Sequence, residues 1–182
     1  MRSSTTRKIT LSAMFFSLCI VLPFLTGQIP GIGSMLLPMH IPVLLCSYIC
    51  GWEYGAVVGF FAPIIRSLIF SMPPLFPDAV SMAFELTTYG LLAGFIYALF
   101  KNRNISTVYL SLIASMIAGR IVWGGVQFIL LSSIGNAFTF GIFFTRAFAN
   151  AIPGIIVQLV VIPSVIAVVD KLNIVPFKNK IN

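Results

Sequence analysis

Four ionisable residues, Arg66, Glu85, Arg120 and Arg146, interrupt segments otherwise apolar enough to lie in a bilayer. A charge at the centre of a membrane helix costs roughly 2.5–3.5 kcal/mol on insertion scales, so it persists where it is paired or serves a function. Three of the four are cations, and that surplus points to recognition of an anion. Arg suits a carboxylate because it can hold one through two parallel hydrogen bonds. Spacing gives two of the cations polar company. Arg120, Trp123, Gly124 and Gln127 stand at i, i+3, i+4 and i+7 and share one helix face. A cation, a ring, a gap and an amide make poor lipid-facing material but a good pocket wall, where apolar surface supplies affinity and a few polar groups fix orientation. The competing reading is plain helix packing, with Arg120 tied to Glu85.

Arg146 and Asn150 form a second pair at i, i+4, and Pro153 and Gly154 continue their face. A proline inside a helix predicts a kink that frees the carbonyl of Ala149 beside Asn150 as a ligand contact. Alternatively, neighbouring helices fill the kink and Arg146 snorkels to the interface. Glu85 and Tyr89 share a face one turn apart, and Glu85 is expected to neutralise one Arg. Arg66 is expected to pair with Asp78 or Glu85, or to snorkel. His40 follows Pro38 after an apolar loop; it is a candidate pocket contact, although a lone His is more often structural. The substrate-binding candidates are therefore Arg120, Asn150, Trp123, Gln127, Arg146, Glu85, Tyr89 and His40.

The elements that position these residues follow from composition. Only 8% of the 182 residues are charged and 59% are hydrophobic, against about 25% charged in a soluble domain. Such a chain has lipid as its solvent, and its length suits one all-α integral membrane domain over residues 1–182. Pro, Gly and charge divide it into six transmembrane helices near 9–26, 38–51, 54–71, 78–100, 105–131 and 142–170. The second is short and holds Pro38 and Pro42, which predicts a tilted or irregular helix. The connection GQIPGIGSMLL (27–37) is too apolar for a solvent loop and reads as a cap. MPPLFPD (72–78), with three prolines, reads as a rigid loop edge.

Arg2, Arg7 and Lys8 precede the first span, Lys101 and Arg103 separate the fourth and fifth, and Lys171, Lys178 and Lys180 follow the sixth. Loops after the first, third and fifth spans hold no Lys or Arg, so the positive-inside rule predicts both termini in the cytoplasm of a multi-pass cell-membrane protein. The capping loop then lies outside the cell, and the polar cluster occupies the middle and outer half. The net charge of +7 thus reports orientation and does not imply nucleic acid. Cys19, Cys46 and Cys50 lie in apolar segments and read as small buried residues; no metal set and no cofactor are expected. Gly51, Gly55 and Gly59 form a GxxxGxxxG run whose default meaning is close helix packing. The chain has no Walker lysine motif, HExxH, GxSxG or catalytic carboxylate pair, so no catalytic residues are assigned. No half-broken helix repeat of a secondary carrier is visible either.

LTGQIPGIGSMLLPMHIPVLLCSYICGWEYG, PIIRSLIFSMPPLFPDAVSMAFELTTYGLLAG and GRIVWGGVQF followed by NAIPG carry a family resemblance that covers nearly the whole chain. It resembles the substrate-binding S component of an energy-coupling factor (ECF) vitamin transporter. The resemblance implies a non-enzymatic subunit that captures a vitamin outside and topples to release it inside. It also implies partnership with a transmembrane coupling protein and two cytoplasmic ATPases that supply the hydrolysis. In that family an Ala-x-x-x-Ala motif on the first helix docks on the coupling protein. Here the matching residues are Ala13 and Ser17, with serine in the second place. The family's substrate site lies among helices four to six and the outer loops. The pattern is similar to pantothenate-type members first and pyridoxine-type members next. A carboxylate with hydroxyls and an amide suits Arg120, Asn150 and Gln127, whereas a neutral pyridine would rely on Trp123 and Tyr89. Other classes are a stand-alone channel or secondary carrier, an intramembrane enzyme, and an assembly protein.

Overall fold

The computed structural model describes residues 5–27, 35–101, 104–134, 139, 141, 143, 145 and 149–171. They form α1 (Thr5–Gly27), α2 (His40–Cys50), α3 (Trp52–Phe70), α4 (Val80–Leu99), α5 (Ile105–Ser133) and α6 (Ile152–Lys171). A short turn, Leu75–Ala79, leads into α4, and a 3-10 turn, Ala149–Ala151, precedes α6. Among the described residues there is no strand. Five helical segments are long and apolar enough to cross a membrane. The exception is α2, whose 11 residues span about 16 Å, half of a ~30 Å hydrocarbon core.

Most helix ends fall within a few residues of the predicted spans, and proline bears on two of the helix starts. The sequence puts the second span from 38, but α2 begins at His40, with Pro38 outside and Pro42 in its first turn, where a missing N–H costs little. The sequence puts the sixth span from 142 with Pro153 as an internal kink. Among the described residues Gly141, Phe143 and Thr145 are helical, a 3-10 turn follows at Ala149–Ala151, and α6 runs from Ile152 with Pro153 in its first turn and Pro163 inside it. Ala149 and Asn150 therefore belong to the 3-10 turn and not to a continuous helix with Pro153 and Gly154.

The short α2 is enclosed. It packs against α1, α3, α4 and α6, and Val43, Leu44, Cys46, Tyr48 and Cys50 are buried. Tyr48 contacts the Ser111 hydroxyl on α5 at 2.8 Å. The outer helices turn apolar side chains outward, including Ile9, Val21 and Leu25 on α1 and Ile117, Ile121 and Ile129 on α5. That is the reverse of a soluble protein's surface and fits contact with lipid chains.

Small residues let α3 and α4 approach closely. A Cβ on Gly55 would sit 2.6 Å from Ser47 Cβ and 3.1 Å from the Gly90 carbonyl oxygen, and one on Gly59 would collide with the backbone of Leu86. Gly90 in turn faces the backbone of Gly55, and the Ser47 hydroxyl donates to the Gly90 carbonyl. Gly51 acts differently, because its φ of 119° makes the tight turn between α2 and α3. The Gly90→Val variant is expected to lose stability by about 1–3 kcal/mol or to fail to assemble, because backbone cannot yield as a side chain does. Gly125→Ala, with open space at the added Cβ, should melt at or slightly above the wild-type temperature. Thermal unfolding in detergent compares the two.

Candidate functional site

Three helices bring their polar groups to one buried point. Glu85 on α4 lies 3.0 Å from Arg120 Nη1 on α5 and 3.4 Å from His40 Nε2 at the start of α2, measured to the same carboxylate oxygen, Oε1. All three side chains are almost completely buried. The His40 ring meets Tyr89 edge-on with centroids 5.1 Å apart. Tyr89 itself is fully buried, one turn from Glu85. Gly119 lets this cluster close: its missing Cβ would stand 3.0 Å from the Tyr89 ring and 3.3 Å from the Glu85 carbonyl oxygen.

The ion pair is tightly enclosed but incompletely satisfied. Arg120 Nε and Nη2 and His40 Nδ1 are buried without a well-formed hydrogen bond, and the Tyr89 hydroxyl, which also makes none, stands close to the Arg120 guanidinium. Buried polar groups are ordinarily bonded, and one left unpaired costs about 1–3 kcal/mol. Covalent geometry makes the Arg120 pattern informative. The hydrogens on Nε and Nη2 project side by side, forming the fork that grips a carboxylate. Glu85 thus occupies one tip of the guanidinium and leaves the two-pronged edge free.

Farther along the same face of α5, Trp123 is buried and stacks on Phe143 with centroids 6.4 Å apart. Phe143 also fills the space left by Gly124. Gln127 follows, fully buried, and its amide nitrogen donates to Asp78 Oδ1 and to Ser81 Oγ, each at 3.0 Å. Its Oε1 has no partner. The α5 spacing therefore does gather Arg120, Trp123 and Gln127 on the inward face.

Arg66 is placed differently from its expected pairing with Asp78 or Glu85. It lies on the side of α3 that faces α1, donates from Nη1 to the Ile20 carbonyl and stands over the Phe24 ring at 4.5 Å and the Phe70 ring at 5.6 Å. Asp78 is engaged by Gln127, and Glu85 by Arg120 and His40. Carbonyl dipole and ring quadrupole together support a cation at the edge of a membrane protein. Arg66→Met is accordingly expected to leave ligand affinity within about threefold of wild type while lowering the unfolding temperature, since a desolvated cation–π contact is worth about 2 kcal/mol. Titration and melting of one preparation test both halves.

Asn150 is exposed on the 3-10 turn, at the end of the bundle where α5 finishes and α6 begins. Arg146 lies outside the described residues, as does most of the expected cap at 27–37. The described end of that cap, Met35–Leu37, packs on α6: a Cβ on Gly154 would come within 2.6 Å of the Met35 carbonyl oxygen and 2.9 Å of the Leu37 side chain.

Sequence reasoning passed over Gln158, which is fully buried on α6 with both ends of its amide unpartnered. It continues the inward face of Gly154, Ile162 and Ile166, and α6 packs on α2 and α5. The available signal was a lone amide one turn after Gly154 in an otherwise apolar helix. Ser81 and the tie from Asp78 to Gln127 were also missed; both join residues far apart in the chain.

Chemically, the arrangement offers donors at Arg120, an acceptor at Gln127, a two-sided amide at Gln158, and ring surface at Trp123 and Tyr89. The family model described as ECF transporter, substrate-specific component, matches residues 7–166. No curated protein and no solved structure matches the chain.

Proposed function

The chain belongs to the family of ECF transporter substrate-specific components, and from that premise we propose that it captures a small carboxylate vitamin, with pantothenate as the best fit, for uptake by an ATP-driven complex. The observation that carries this reading is the unpartnered Nε–Nη2 edge of Arg120 beside the Glu85 ion pair. A carboxylate on that edge gains two charge-assisted hydrogen bonds. Hydroxyl and amide groups of pantothenate suit the open valences of Gln127 and Gln158, with Asn150 at the rim. Trp123 is stacked on Phe143 and His40 meets Tyr89, which favours a slender aliphatic ligand over a pyridine ring.

The membrane orientation belongs to the same proposal. Lys and Arg gather at the chain ends and between α4 and α5, which supports cytoplasmic termini and a site toward the outer face. Transport then needs partners, since the chain carries no nucleotide-binding motif of its own: a coupling protein in the membrane and two ATPases beneath it. Ala13 and Ser17 are the proposed docking residues. Both are exposed on α1, and the Ser17 hydroxyl donates to the Ala13 carbonyl at 3.0 Å. That bond uses up the hydroxyl and leaves Ser17 a small, nearly apolar surface like the alanine it replaces.

Mass spectrometry of small molecules released from the purified chain tests the assignment. Pantothenate is the expected species. Recovery of pyridoxine or a related pyridine or pyrimidine would transfer the same role to that vitamin. Substrate uptake by liposomes holding this chain alone would replace it with a stand-alone channel or carrier.

A further inference from the structure

The two open ends of the α5 face have opposite hydrogen-bonding character. At Arg120 the free atoms Nε and Nη2 are donors only. At Gln127 the free atom is an acceptor, and its identity is fixed by its neighbours. The Asp78 carboxylate only accepts, so it must receive an N–H of the amide. Ser81 spends its own hydrogen on the Asp78 carbonyl at 2.9 Å, so it too accepts from Gln127 Nε2. Both hydrogens of that nitrogen are committed, and the amide cannot turn over without facing its oxygen to a carboxylate. Gln127 Oε1 is therefore held as an acceptor, buried and unpartnered. Seven residues of α-helix separate Arg120 from Gln127, which is nearly two turns, about 10 Å along one face, with Trp123 between them.

Resting on the carboxylate reading above, we propose that the ligand lies along α5 in one direction only. Its anionic end meets Arg120, and a hydroxyl or N–H about 10 Å away donates to Gln127 Oε1; Asp78 and Ser81 are positioning residues that set the sign of that contact. The site then selects for a donor at the far end of the ligand. It rejects molecules that are anionic at both ends, because a second carboxylate would face an oxygen that cannot turn away. A site built to bond a hydroxyl discriminates strongly against an analogue that lacks it, since its own buried group is left unpaired.

The proposal is tested by calorimetric titration of the full chain with three probes: pantothenate, its analogue with the terminal hydroxyl replaced by hydrogen, and pantothenol, in which the carboxylate is replaced by hydroxymethyl. Wild type should bind each analogue at least about tenfold more weakly than pantothenate. In Gln127→Leu and Asp78→Asn the penalty for the missing hydroxyl should shrink to within about threefold, while the penalty for pantothenol persists. Ratios are taken within each variant, so a general loss of affinity cancels, and Ser81→Ala gives the milder third comparison. An undiminished hydroxyl penalty in the variants overturns the assigned direction and leaves the carboxylate reading standing. Wild-type binding of pantothenol as tight as that of pantothenate overturns the carboxylate reading, and absence of pantothenate binding overturns both.

Discussion

Replacing Arg120 with Ala should weaken binding of the carboxylate ligand by about a hundredfold or more. The two lost bonds are charge-assisted, each worth about 1.5–3 kcal/mol, and every ~1.4 kcal/mol is a factor of ten in affinity. The same change strands Glu85, which lies 3.0 Å from Arg120 in a buried position. Removing one partner of a buried pair costs about 3–5 kcal/mol, so the single variant should also unfold earlier. The double variant Arg120→Ala with Glu85→Gln separates the effects. It should regain much of the lost stability, because no buried charge is left alone, and it should regain none of the affinity. Titration and melting of both proteins check this. Full affinity in a folded Arg120→Ala protein would remove this residue from the site.

Ala13→Leu and Ser17→Leu should abolish most uptake by the assembled complex and spare ligand binding by the isolated chain. Both positions are exposed on α1, and neither supports the core; α1 turns inward through Ser12, Phe15 and Cys19. A leucine at either position adds bulk where two helices would otherwise meet closely, as small-residue contacts in membranes require. Uptake by the reconstituted complex, set beside titration of the same variants, distinguishes docking from binding. Unimpaired uptake by both leucine variants would move the docking surface elsewhere. Ser17→Ala should be neutral, since the hydroxyl is bonded within its own helix.

Much of this site was legible along a single helix. The i, i+3, i+7 spacing put Arg120, Trp123 and Gln127 together because an α-helix fixes the angle between residues of one element. The link between Glu85 and Arg120 followed from the cost of leaving either charge alone in lipid. Rotation of one helix against another is not written in its own spacing, and Arg66 shows the consequence. Its face of α3 turned to Ile20, Phe24 and Phe70, a carbonyl and two rings that no count of charges would nominate. The tie from Gln127 to Asp78 spans 49 positions and depends on how the turn before α4 folds back over α5. The irregularity before Pro153 was legible from the proline itself, but its form, a 3-10 turn at Ala149–Ala151 ahead of a regular α6, was not, because a proline suits both a mid-helix kink and a first turn. Gln158 went unnoticed because a single amide in an apolar run has no partner along the chain to draw attention to it.

The brevity of α2 has an electrostatic consequence. A helix that crossed the whole bilayer would present its ends to water, but α2 begins in the interior with His40 against Glu85. Its peptide dipoles sum to roughly half a positive charge at that end, and its N-cap residue Met39 makes no side-chain capping bond there. The Arg120–Glu85 pair cancels to zero formal charge, and the buried helix terminus adds a positive contribution beside it. An anion entering this site meets an attraction that no titratable group supplies, which neither a pH change nor the loss of one side chain would switch off.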